Sequence, residues 1–266
     1  MNLLKGGLFV MACSVAAGFN QSAIASEGTA FLDWSQLQVS VTGAGGSTPT
    51  VILTDQITNL TSSASIPGRT SVNDSTSLLG WTSPEETHAR TGNTFSNTLS
   101  SQQFLSGNVE ATREPTEPEH AHHPAEALSQ GSRSADFSLD GPGVLTVSVP
   151  YTLSIAGGRP FSFFDAISAS VSGKSSFNDS INNDVVFSLT SFEEGSSPGT
   201  QSGNLLIDIV AGTAGTGTFE LGFTLSSQAP VIPIPEPESY AMLLAGLGLI
   251  SAIIRRKSMT NVGRLG

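Results

Sequence analysis

Three histidines, His120, His122 and His123, share one short segment with Glu117, Glu119 and Glu126. Imidazole nitrogens and carboxylate oxygens at such spacing are the donor set for zinc, copper or nickel. The segment carries no HExxH pattern, and Glu110–Glu126 holds no Leu, Ile, Val or Phe that would fix the ligands in place. A solvated acidic loop is the competing reading, so no metal or other cofactor is expected. The run Asn178 to Asp184, NDSINND, offers oxygen ligands of the kind calcium takes. It lacks the glycine and terminal glutamate of an EF-hand loop, and the same residues make an ordinary turn between strands. Trp34, Trp81 and Tyr151 could stack on sugar rings, or fill a core. No Gly-x-Ser-x-Gly elbow, Walker loop or dinucleotide loop occurs. Histidines number four, His88 being the fourth, and nothing sets one beside a nucleophile. Enzymatic activity is not expected.

The elements that would carry these residues read as strands. From Leu145 to Ile155 every odd position is apolar, and the even positions are Thr146, Ser148, Pro150, Thr152 and Ser154. Period two means one buried face and one wet face. Pro150 lacks an N–H, which suggests an edge strand or a bulge. Phe219 to Ser226 alternates in the same way, and weaker alternation lies at Leu37–Thr42, Ile167–Ser172, Val185–Ser191 and Leu205–Val210. Gly/Pro/Ser clusters separate these segments, and no long helical period intervenes. The expected fold is all-β, an antiparallel β-sandwich over residues 26–230. Residues 82–134 are polar and weakly patterned, and are expected to form a mobile insert or linker.

The chain has 266 residues and a formal net charge of -11. All 22 acidic residues lie between Glu27 and Glu238, beside only six basic ones, leaving that span about -16. Such a surface repels phosphate polymers and anionic lipid heads, so no nucleic-acid partner is expected. Residues 1–25 have the form of a signal peptide. Lys5 supplies the positive start, Gly6 to Ala17 is apolar or small, and Ala23-Ile24-Ala25 is a small-x-small cleavage pattern that places the mature start at Ser26. Val10-Met11-Ala12-Cys13 offers a second, lipoprotein-like processing site at the only cysteine. Cleavage after Ala25 leaves a chain without thiols, and hence without disulfides.

The C-terminal region joins three unlike pieces. Pro235-Glu236-Pro237 is extended and charged, Tyr240–Ile254 is apolar, and Arg255-Arg256-Lys257 is basic. As a helix, residues 240–254 reach about 22 Å, short of the roughly 30 Å hydrocarbon core, with Arg255 able to snorkel. The basic cluster would keep residues 258–266 cytoplasmic and the β domain outside. This tripartite end resembles the PEP-CTERM sorting signal of Gram-negative bacteria. The resemblance covers about Val231 to Lys257, with Ile234 where valine is usual and a nine-residue tail after the basic cluster.

The resemblance implies handling by signal peptidase and then by exosortase, a membrane-embedded cysteine transpeptidase that would recognise Pro235, Glu236 and Pro237 and remove the helix. It implies a transient stay at the inner membrane, then a cell-surface or extracellular-matrix location, and an association with exopolysaccharide and biofilm. The function expected is therefore structural or adhesive. A carbohydrate-binding β-sandwich is the alternative, and an extracellular hydrolase the third.

N-terminal sequencing of the exported protein is expected to begin at Ser26. A lipidated Cys13 would replace this account with the lipoprotein one.

Overall fold

The computed structural model describes residues 25–44, 46–112, 115–116, 124–156, 166–178, 180–192, 199–229, 232–233, 244–247 and 250. The strands are β1 (Ala25–Asp33), β2 (Gln38–Gly43), β3 (Val51–Ser65), β4 (Val72–Leu79), β5 (Glu85–Thr91), β6 (Thr94–Ser100), β7 (Phe104–Thr112) and β8 (Pro115–Thr116). They continue with β9 (Ala125–Leu139), β10 (Gly143–Ala156), β11 (Ala166–Phe177), β12 (Ser180–Phe192), β13 (Gly199–Ala211), β14 (Gly215–Ala229) and β15 (Ile232–Pro233). One sheet runs β13-β10-β1-β7-β6-β5, with β2 also on β10, and the second runs β12-β11-β14-β9-β3-β4. All pairings in both are antiparallel. The two sheets pack face to face, with one apolar cluster drawn from both inner faces.

Alternation decides which face is buried. Leu145, Val147, Val149, Tyr151, Leu153 and Ile155 of β10 all point inward, as their odd spacing requires. They meet Leu205, Ile207 and Ile209 of β13 and the inward residues of β11 and β14 in the aliphatic half of the interior. β10 is not an edge strand. It pairs with β13 along one side, and with β2 and then β1 along the other. Pairing with β2 ends at Ser148 and pairing with β1 begins at Tyr151, so Pro150 stands in the gap between two partners. The chain between those partners is a 3-10 turn, Trp34–Gln36, which Asp33 caps by accepting from the Ser35 N–H.

Residues 82–134 were expected to be a mobile insert, and their described part instead forms β5, β6, β7, β8 and most of β9. The inner faces of these strands carry Thr87, Ala89 and Thr91, then Thr94, Ser96, Thr98 and Ser100, then Ala127 and Ser129, all buried. Hydropathy counts such residues as loop-like, yet their strict alternation is that of a strand. Hydrogen bonds between the sheets make their burial tolerable. Ser62 Oγ of β3 lies 3.0 Å from the hydroxyls of both Thr87 and Thr98. Thr98 Oγ1 is 2.6 Å from Ser129 Oγ and 2.9 Å from the Thr61 carbonyl. Ser129 in turn donates to the Asn97 carbonyl at 3.0 Å. At the neighbouring strands, Ser227 donates to the Ser26 carbonyl at 2.6 Å and accepts from the Ala111 N–H. Within Glu110–Glu126, residues 113–114 and 117–123 lie outside the described residues.

Small residues set the gap between the sheets. A Cβ on Gly107 would stand 2.4 Å from the Phe223 ring and 2.4 Å from Ser129 Oγ, and one on Gly131 would stand 2.8 Å from the same ring. Phe223 thus fills a slot that two glycines leave open. Arg133 is fully buried nearby. Its Nη2 donates to Ser100 Oγ at 2.7 Å and to the Ser101 carbonyl, and its guanidinium lies 4.9 Å from the centre of the Trp34 ring. Among the described residues its Nε and Nη1 have no hydrogen-bond partner, and burial pushes its pKa down to about 10, which still leaves it charged at neutral pH.

Two outcomes follow for unfolding by denaturant. Thr98→Val keeps the volume and removes the hydroxyl that links Ser62, Ser129 and Thr61, so a loss of about 1–3 kcal/mol is expected. Gly107→Ala is expected to cost about 1–3 kcal/mol through overpacking, and Phe223→Leu in the same chain should return part of that loss.

Candidate functional site

The sorting segment begins where the second sheet ends. β14 closes at Ala229, and β15 then lies parallel to β8, with Ile232 opposite Pro115 and Pro233 opposite Thr116. The approach to the Pro-Glu-Pro motif is therefore laid against the strand from which the histidine-bearing segment departs. Pro235, Glu236, Pro237, Arg255, Arg256 and Lys257 lie outside the described residues, as do His120, His122 and His123. Further along, residues 244–247 and 250 are helical. Leu244, Leu247 and Ile250 are 68%, 54% and 57% exposed, and their spacing puts them on one side of a helix. That side is apolar, and the described residues leave more than half of each of these side chains exposed. Among the described residues no helix is long and apolar enough to cross a membrane, and most of the expected span 240–254 lies outside them.

The other sequence candidates fall as follows. Ala23 lies outside the described residues, and Ala25 opens β1. Ser26 is buried, and its carbonyl accepts from Ser227 across the sandwich. His88 is exposed on β5, where its backbone N–H donates to Asp74 Oδ2 at 3.0 Å. Glu126 sits on the outer face of β9 and accepts from Gln228 Nε2. Asn178, with a φ of 46°, makes the turn out of β11, and Ser180 already belongs to β12, so NDSINND begins a hairpin. Among the described residues no cluster of His, Cys, Asp or Glu is arranged to hold a metal ion.

Trp34, Trp81 and Tyr151 are not a sugar platform, because all three are buried. Trp34 and Trp81 meet edge to face at 5.5 Å, and the Trp81 indole donates to the Ser134 carbonyl at 3.0 Å. Burial pushes the Tyr151 phenol up. On the outer face of the seven-stranded sheet the exposed Phe31 stacks on the half-buried Phe104 at 5.7 Å. One signal for it stands in the sequence. Ala30 and Leu32 take the inward positions of β1, which leaves Phe31 on the wet face.

Residues 233–257 match the PEP-CTERM protein-sorting motif. No curated protein matches the chain. The motif supports an exported protein that is held at the membrane for processing by exosortase.

The exposed apolar side chains of Leu244, Leu247 and Ile250 give a direct outcome. Full-length protein made in a host without exosortase is expected to enter the detergent phase on cloud-point partition, whereas a chain ending at Ser239 should stay in the aqueous phase. Aqueous partition of both would remove the membrane role of this segment.

Proposed function

We propose that this protein is a structural or adhesive component of the cell surface or extracellular matrix, delivered there by exosortase and associated with exopolysaccharide. The observation that carries this reading is the PEP-CTERM motif at residues 233–257, following an all-β domain. The motif supports export and sorting. The domain suits a passive mechanical role, since its strands run to 15 residues and cross-sheet hydrogen bonds tie its two layers together. Its outer faces carry paired hydroxyls, such as Thr152 with Ser202 at 2.9 Å and Ser154 with Thr200 at 3.0 Å, which water or a hydroxyl-rich polymer can join. The role is non-enzymatic in this proposal, and an extracellular hydrolase is the reading it displaces.

In mechanism, signal peptidase cuts after Ala25 and the β domain folds outside. The helix of residues 240–254 holds the chain at the inner membrane, with Arg255, Arg256 and Lys257 as the cytoplasmic stop. Pro235 and Pro237 disfavour helix and keep the motif extended, and the Glu236 carboxylate stays in water at the membrane face where an enzyme can reach it.

Glu236→Gln keeps the shape and removes the charge. It is expected to leave an intact precursor in the membrane fraction of a host with exosortase, while the wild-type chain loses residues 240–266. Replacement of Arg255, Arg256 and Lys257 by Gln should reduce membrane retention of the precursor. Normal processing of Glu236→Gln, read from the mass of the C-terminal peptide, would end the assignment of recognition to that carboxylate.

A further inference from the structure

The register of the seven-stranded sheet aligns one side chain from each of six strands in a straight row on its outer face. Glu86 of β5 is opposite Leu99 of β6, which is opposite Ser106 of β7. Ser106 is opposite Phe31 of β1, Phe31 is opposite Thr152 of β10, and Thr152 is opposite Ser202 of β13. Opposed residues share a face, and each of these six is at least partly exposed. Strands lie about 4.8 Å apart, so six of them carry the row over roughly 24 Å.

The row has a distinct chemistry along its length. Its centre is aromatic: Phe31 is 41% exposed and stacks on Phe104, which extends the ring surface along the strands. One flank is the Thr152–Ser202 hydroxyl pair. The other ends at Glu86, where a shallow hollow of about 480 Å³ is bounded by Phe104, Leu99, Glu85, Glu86 and Ser101. Exposed aromatic surface of this kind is costly in water unless something covers it. No cation stands in the row, Glu86 ends it, and Asp33 and Glu85 flank it, which disfavours a polyanion.

We propose that this row binds a neutral polysaccharide strand laid across the β-strands. The apolar C–H face of a pyranose covers the Phe31–Phe104 pair. Neighbouring sugars exchange hydrogen bonds with Thr152 and Ser202 on one side and with Ser106 and Glu86 on the other. Stacking supplies the contact area and the hydroxyls and carboxylate fix the orientation, the usual division of labour at amphipathic aromatic sites. The inference rests on the matrix role proposed above and names the surface that would hold the protein in that matrix.

The test is affinity electrophoresis of the protein in whichever form it accumulates, processed or intact. Gels contain hydroxyethylcellulose, a galactomannan, or the neutral polysaccharide fraction from cells that make the protein. Alginate gels provide a polyanionic control. Retardation is expected in at least one neutral polymer and not in alginate. Phe31→Ala with Phe104→Ala should weaken it at least tenfold, and Glu86→Gln should weaken it less. Unchanged near-ultraviolet dichroism from the buried Trp34–Trp81 pair would establish that the variants fold. The outer face of the other sheet has its own hollow of about 440 Å³ around Lys174 and Glu220, a salt bridge of 2.8 Å. Lys174→Ala is expected to leave binding unchanged. The row is overturned if no neutral polymer retards the protein, if retardation survives loss of both phenylalanines, or if Lys174→Ala abolishes it. Because binding is read apart from C-terminal processing, failure of the row and failure of exosortase sorting give different results.

Discussion

The hydrogen bonds that cross the sandwich through serine and threonine hydroxyls are the constraint on which the rest of the fold depends. In an aliphatic interior the gap between sheets is set by side-chain bulk and tolerates small slides. A hydroxyl contact does not tolerate them, because it weakens steeply beyond normal bonding distance. Ser62, Thr98 and Ser129 each reach a group on the opposite sheet, and each also has a contact that ends on a backbone carbonyl there. The backbones must therefore stay at one separation and one register. Gly107 and Gly131 permit that separation beside Phe223, and the aliphatic cluster around β10 and β13 supplies the apolar burial that the hydroxyl half lacks. Arg133 is the costly member of this half. It ties β9 to the end of β6 through Ser100 and Ser101, and its contact with the Trp34 ring offsets part of its desolvation.

How much of this was legible in the sequence follows from what each strand buries. β10 and β14 announce themselves, since Leu, Val, Ile and Phe alternate with Thr and Ser. β5 and β6 do not. Thr94, Ser96, Thr98 and Ser100 alternate as regularly as Leu145 to Ile155, but Phe95 and Leu99 lie on the other face of β6, so a rule that equates inward with apolar puts the wrong face inside. The identity of the opposite sheet decides which face is buried, and it is a long-range property. Pro150 is a similar case. A proline in a central strand contradicts the local rule, and only the handover from β2 to β1 accommodates it.

The candidate sites divide along the same line. The sorting motif is linear, so its residues can be read one after another without a fold. The burial of Trp34, Trp81 and Tyr151 was open to inference from size and pattern. The row through Phe31 was not, because Glu86, Phe31 and Ser202 become neighbours in one line only through five strand pairings. Only the outward parity of Phe31 was available beforehand.

The position of β1 has a consequence for the order in which the protein can be built. It is the first strand to pass outward through an export channel that takes the N-terminus first, yet it is an interior strand of its sheet. Glu27 waits for Glu110 on one side and Ala156 on the other, and the Ser26 carbonyl waits for a hydroxyl 201 positions later. Closing such distant pairs is slow. Translocation thus runs ahead of closure: the leading segment remains a threadable chain, and the sandwich locks shut only when β14 has emerged, immediately ahead of the sorting motif at residues 233–257.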